Sequence, residues 1–249
     1  MRIRRHLTAI IQGPLDDRTY EAIDCYQGFG EVIVSTWKGE DLSLLDKATG
    51  KFEVVENIYP DSMKGINNHG HRYFMARTIL GGCEAAKFNY IMKTRTDELY
   101  PDLDAILANF DLYPTRAHTT DNGFWRPIPF CFSNHLFIED KHNMTTACQA
   151  LVSHCEGKSH QNVQLDTPEQ AFGWALMKAR GIDIDKNSWK SAFSNHIFIT
   201  PCSMLKNHLH SGGSYYKTIP FKRCENYPWG RPDGHQIDQL HQSHLEFKG

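Results

Sequence analysis

The run from Phe88 to Glu98 constrains this chain more than any other stretch. An apolar segment, Phe88 to Met92, passes without a break into Lys93-Thr94-Arg95-Thr96-Asp97-Glu98. Near-continuous apolar character marks a strand buried on both faces, and such strands belong to sheets covered by helices on each side. Pro101, followed by Leu103, Ile106, Leu107 and Phe110 at helical spacing, opens a helix soon after. Asp97 is therefore expected just past the carboxyl end of a central strand. In open α/β sheets that edge faces a crevice, and ligands bind there. A carboxylate beside two cations suits a divalent metal and a phosphate chain, because hard cations take oxygen ligands and Lys and Arg match phosphate oxygens. A surface ion-pair cluster at a strand end is the other reading of the same residues.

The neighbouring segments decide what kind of sheet this is. Leu7 to Ile11 and Glu31 to Ser35 read as buried strands, and Phe52 to Glu56 as a more exposed one. A helix carrying Tyr20, Ile23 and Tyr26 separates the first two. Asn67-Asn68 starts another, with Met75, Ala76, Ile79, Leu80 and Cys83 on one face and Gly81-Gly82 expected to stop it. Further on, Phe130 to Ile138 is expected as a strand, and Phe193 to Ile199, which repeats Phe132 to Ile138 with one change, is either a coincidental match or a second, similar strand. Helices are expected from about Asp140 to Cys155, from Thr167 to Ala179 with Thr167 as cap and Pro168 at the first position, and around Ile237 to Leu245. Alternating strands and helices give an α/β fold, Rossmann-like, with a mostly parallel central sheet, helices on both faces and a loop-rich C-terminal part. One domain over residues 1–249 is expected, with a ligand-binding half over 1–110 and an acceptor half over 111–249 that includes a C-terminal covering loop.

At 249 residues and a formal charge of -2, the chain carries no broad basic footprint, which disfavours nucleic acid as a partner. Its seven cysteines are scattered and form no C-x-x-C pair, which fits a reducing compartment better than a disulfide framework or a zinc knuckle. The apolar run after the basic start Met1-Arg2-Ile3-Arg4-Arg5-His6 is too short for a signal-peptide core. A cytoplasmic protein is expected, with no transmembrane segment and a possible peripheral contact between the Arg-rich start and an anionic membrane. Neither G-x-G-x-x-G nor G-x-x-x-x-G-K-[ST] is present, which disfavours dinucleotide oxidoreductases and P-loop NTPases.

Four blocks stand in order: Ile10-Ile11-Gln12-Gly13-Pro14, Val34-Ser35-Thr36-Trp37, Asn67-Asn68 with Arg72, and Lys93-Thr94-Arg95-Thr96-Asp97. In order and spacing they resemble the WavE lipopolysaccharide-synthesis family of glycosyltransferases. The resemblance covers the first hundred residues or so and continues more loosely through Ser133-Asn134-His135-Leu136-Phe137 and Pro168-Glu169-Gln170. It implies a nucleotide-sugar-binding fold of the GT-A kind, in which a short acidic motif after a central strand holds Mg²⁺ or Mn²⁺ against the donor diphosphate. The sequence departs from that motif by placing Arg95 where an acidic residue is common. Either Asp97 holds the metal, or Arg95 meets the diphosphate directly.

The expected site follows. Gln12, Gly13 and Pro14 lie around the nucleoside with Ser35, Thr36 and Trp37 beside them, Asn68 and Arg72 reach the base, ribose or phosphates, and Lys93, Arg95 and Thr96 stand at the diphosphate. Asp97 is the metal ligand, with His208 from the C-terminal part as a second. Glu169, at a helix start in the later half, is expected as catalytic base beside Asp97. The reaction implied moves a sugar from a nucleotide-sugar donor to a glycan or glycolipid acceptor. A sugar nucleotidyltransferase and a non-catalytic glycan-binding domain remain as alternatives.

Overall fold

The computed structural model describes residues 3–60, 67–120, 130, 133, 135–157, 167–183, 195–200, 205, 209–212 and 215–218. Ten strands are described: β1 (Leu7–Gln12), β2 (Glu31–Trp37), β3 (Glu53–Asn57), β4 (Tyr90–Arg95), β5 (Glu98–Leu99), β6 (Ala117–Thr120), β7 (Phe137–Asp140), β8 (Ile197–Thr200), β9 (Leu209–Gly212) and β10 (Tyr215–Thr218). The described helices are α1 (Thr19–Cys25), α2 (Asn67–Ala85), α3 (Asp104–Leu112), α4 (Lys141–Cys155) and α5 (Pro168–Ala179). The expected helix around Ile237 to Leu245 lies outside the described residues.

Seven strands form one sheet in the order β3-β2-β1-β4-β7-β6-β8. Strands β3, β2, β1 and β4 run parallel, β7 runs antiparallel to both β4 and β6, and β6 is parallel to β8. The fold is α/β with a mostly parallel, Rossmann-like sheet, and the sheet continues across residue 110. Every residue of β1 is buried, because side chains alternate between two covered faces. Ile10, Ile33, Ile91 and Phe137 pack under α2, α4 and α5, whereas Leu7, Ala9, Ile11, Val34 and Met92 pack under α1 and α3. No helix among the described residues is long and apolar enough to cross a membrane.

Caps behave as local chemistry dictates. Thr167 and Gln170 form a reciprocal capping box with Pro168 in the first turn of α5. Asp140 accepts from His142 N at 2.8 Å to start α4. Gly81-Gly82, expected to end α2, instead lie inside it. A Cβ at Gly82 would meet Ile10 Cγ2 at 2.6 Å, and one at Gly81 would collide with the Asn57 side chain. The glycines bring the helix down onto β1 and β3, and α2 ends at Ala85.

Two expected strands are shorter than their apolar runs. The strand expected over Phe130 to Ile138 begins only at Phe137; Phe130 has a positive φ of 64°, which ends any extended run there. The strand expected over Phe193 to Ile199 is Ile197–Thr200. The basic start is drawn into packing: Arg4 donates to Asp104 Oδ1 at 2.8 Å and lies over the Phe29 ring.

Candidate functional site at the sheet edge

The carboxyl ends of β2, β1 and β4 meet side by side, because Gln12 is the register partner of both Ser35 and Arg95. The ladder continues one bond further on each side, with Gly13 N donating to Ser35 O and Thr96 N donating to Gln12 O, both at 3.1 Å. Gly13 has a φ of +126°, a region open essentially to glycine alone, and a Cβ there would stand 3.0 Å from Thr96 Oγ1. Thr96 Oγ1 donates to Pro14 O at 2.5 Å, and Thr96 O accepts from Thr19 Oγ1 at 3.3 Å. Thr96 thus fastens the loop after β1 and the start of α1 to the end of β4. Its role is to hold the rim, and the residue is buried.

Four charged groups follow one another from β4 outward. Arg95 grips Asp97 with a two-pronged fork, Nε to Oδ1 at 2.7 Å and Nη2 to Oδ2 at 2.5 Å. Burial works against the guanidinium's charge, but the Asp97 hydrogen bonds and the field of Glu98 outweigh it and hold its pKa above the ordinary value. Glu98 Oε1 lies 4.0 Å from Arg95 Nε and meets His135 Nδ1, while its Oε2 accepts from Tyr100 Oη at 3.0 Å. Tyr26 Oη in turn accepts from Tyr100 N at 3.1 Å. Lys93 sits one layer below, 1% exposed, beside Arg95, Glu98, Asp97 and Cys148. Burial first, and the Arg95 cation second, pull its pKa down to about 7.

The donor-side candidates divide by what their side chains already do. Ser35 is wholly buried and donates to Thr78 O at 2.5 Å while accepting from Asn57 Nδ2 at 3.0 Å, so it joins the sheet to α2. Gln12 Oε1 accepts from Thr78 Oγ1 at 2.6 Å. Trp37 is 7% exposed and packs edge-on against Tyr59 and Phe74, with centroids 5.4 and 5.5 Å away. That aromatic cluster fills the corner between β2 and α2. Thr36 differs: its hydroxyl is buried with no hydrogen-bond partner among the described residues. Asn68 lies in the first turn of α2, and Arg72, 6% exposed, lies one turn further on, near Cys155.

Glu169 occupies the first turn of α5. Phe172 packs on Phe137, and Arg180 just past the helix binds Glu139, the register partner of Ile91. The helix therefore runs from the rim side toward the opposite edge. Among the described residues no hydrogen bond or ion pair joins Glu169 to the rim cluster. His208 lies outside the described residues. The backbone of β9 does reach the rim: it pairs antiparallel with β5, setting His210 opposite Glu98.

A resident divalent metal fits this donor set poorly. Both Asp97 oxygens are held by Arg95, Glu98 is turned inward with a side chain 0% exposed, and the described residues contain no group of three or more His, Cys, Asp or Glu able to hold an ion. The residues that reading the sequence passed over are His135, Tyr100 and Tyr26. His135 stood in one of the blocks quoted for the resemblance, and no local spacing tied it to Glu98.

No family model matches the sequence, and no curated protein matches it. Among solved structures the chain is similar to HddC from Yersinia pseudotuberculosis, at a TM-score of 0.37 and 11% identity over 56% of this chain and 79% of that one. A likeness of that size carries no argument.

Proposed function

We propose that the chain is a nucleotide-sugar-dependent glycosyltransferase acting on a glycan or glycolipid acceptor of the surface-polysaccharide kind. The observation that carries the reading is Arg95 at the end of the central strand, held in place by Asp97 beside the Gly13-Pro14 loop. An activated sugar departs as its anomeric carbon becomes cationic, and negative charge grows on the leaving diphosphate. A pre-set guanidinium at that point stabilises the charge without reorganising as the bond breaks. Arg95 is the side chain that meets the diphosphate in this reading; Gly13 lets the loop after β1 lie close against Thr96, and Thr36 Oγ1 is a buried hydroxyl with no hydrogen-bond partner among the described residues.

The test is calorimetry of the full chain against UDP, GDP, CDP and ADP, each with Mn²⁺ and with EDTA. One nucleoside diphosphate should bind saturably under both conditions, and Arg95→Met should weaken it at least tenfold, about 1.4 kcal/mol. Binding of none of the four would sink the reading. Binding that vanishes in EDTA would return the diphosphate to a metal held through Asp97.

A further inference from the structure

His135 stands two residues before Phe137, the first residue of β7 and the register partner of Lys93. The chain thus enters β7 at the edge where β4 leaves the sheet. The ring stands with its Nδ1 on Glu98 Oε1 and keeps 16% of its side chain exposed, whereas the Glu98 side chain is fully covered. A carboxylate accepts from Nδ1–H, which puts the lone pair of the neutral imidazole on Nε2. A basic nitrogen, oriented by a buried anion and placed at the rim beside Arg95, is the arrangement general-base chemistry requires.

We propose that His135 Nε2 removes the proton from the attacking hydroxyl, with Glu98 as the positioning residue that fixes the ring's tautomer and direction. The inference rests on the glycosyltransferase reading and replaces Glu169 as the base. In the step, the hydroxyl oxygen bonds to the anomeric carbon and its proton passes to Nε2. The bond from that carbon to the diphosphate oxygen breaks, and its electron pair leaves with the nucleoside diphosphate toward Arg95. Attack comes from the face opposite the leaving group, so the anomeric configuration inverts, and Nε2 later returns its proton to solvent.

Water can serve as acceptor, so the experiment needs no identified glycan. The full chain is given UDP-glucose, UDP-N-acetylglucosamine and GDP-mannose. Nucleoside diphosphate release, the anomer first formed (by NMR) and the affinity for UDP or GDP are measured. His135→Asn keeps an N–H toward Glu98 but has no second ring nitrogen; His135→Ala leaves room for added imidazole. Both should lose release by roughly 100- to 10,000-fold with nucleotide affinity within about threefold of the unaltered chain. Imidazole should restore turnover to His135→Ala and not to His135→Asn, and Glu98→Gln should slow release roughly tenfold or more. Release unchanged in His135→Asn, a parallel loss of nucleotide affinity, or a product of retained configuration would each overturn the proposal while leaving the transferase reading intact. No turnover and no nucleotide binding by the unaltered chain would overturn that reading and this inference together.

Discussion

Lys93→Met tests the electrostatics on which the rim depends. Lys93 lies mid-sheet between Ile10 of β1 and Phe137 of β7, and burial followed by the Arg95 cation lowers its pKa from 10.5 to about 7. A base whose folded pKa lies below its unfolded one is stripped of its proton by folding. Between the two values the unfolded chain binds a proton that the folded chain releases, so stability from this group rises with pH from about 7 to 10.5. The shift costs the fold on the order of 4 kcal/mol at pH 7 and less at pH 8.5. Methionine fills a similar space with no charge to desolvate. Urea unfolding of both proteins at pH 7 and pH 8.5 should show the unaltered chain gaining roughly 1–2 kcal/mol relative to Lys93→Met as pH rises. Staying at or below pH 8.5 limits the opposing contribution of the buried Cys83 and Cys148 thiols, whose pKa values burial pushes up from 9.0. Parallel profiles would show that the amine is already compensated in the fold, and the account of a strained cation under Arg95 would fail.

Two further substitutions separate holding the rim from holding the fold. Gly13→Ala forces a side chain into φ +126° and against Thr96 Oγ1; it should cost roughly 1–3 kcal/mol in urea unfolding and weaken nucleoside diphosphate binding as well, and a loss below about 0.5 kcal/mol would mean the loop is not fixed there. Arg180→Ala removes both guanidinium bonds to Glu139, which is 1% exposed. An uncompensated buried carboxylate should cost roughly 3–5 kcal/mol, read as a fall in Tm. Because Glu139 lies at the edge of the sheet away from Arg95, nucleotide affinity of the folded variant should not change; a matching loss of affinity would show the two edges to be coupled.

The elements legible in the sequence were those whose signals are local. Strands β1 to β4 declared themselves by apolar runs, and α5 by Thr167, Pro168 and Gln170, because side-chain alternation and capping depend on residues a few positions apart. Strand β6 did not, since Ala117-His118-Thr119-Thr120 reads as a polar connection; its four residues are buried in the interior of the sheet, with His118 against Phe110 of α3 and Ala117 in the core beneath α4 and α5. The reversed strand β7 was foreseen too long, for nothing between Phe130 and Leu136 announces that Phe130 turns into positive φ. The glycine pair in α2 was misread for the same reason: whether a glycine ends a helix or seats it against a strand depends on Ile10 and Asn57, far off in the chain. At the site, the meeting of Gln12, Ser35 and Arg95 followed from strand order, while the pairing of Glu98 with His135 joins residues 37 apart and had no local trace.

The rim's chemistry turns on one exchange of sign at the turn where β4 ends. Strand β4 ends at Arg95, and the turn that follows brings the Asp97 carboxylate back onto the Arg95 guanidinium. Two carboxylates so placed repel and are relieved by sharing a cation, which is why a paired acidic motif suits a metal. Here the first of the two is Arg95, and the pair satisfies itself: the guanidinium takes both Asp97 oxygens. What remains for a ligand is the outer surface of a cation whose orientation the carboxylate has already fixed. Arginine presents five donors in a planar fork, and Asp97 takes two of them, at Nε and Nη2; the others, which donate to no group among the described residues, match phosphate oxygens. On this logic Asp97→Ala and Arg95→Asp differ in kind. The first leaves a mobile arginine and should weaken diphosphate binding modestly, about tenfold. The second rebuilds an acidic pair and should make binding depend on Mn²⁺, measured as affinity gained on adding Mn²⁺ and lost in EDTA. An Arg95→Asp chain that binds nucleotide without metal as tightly as the unaltered protein would show that Arg95 never faced the diphosphate.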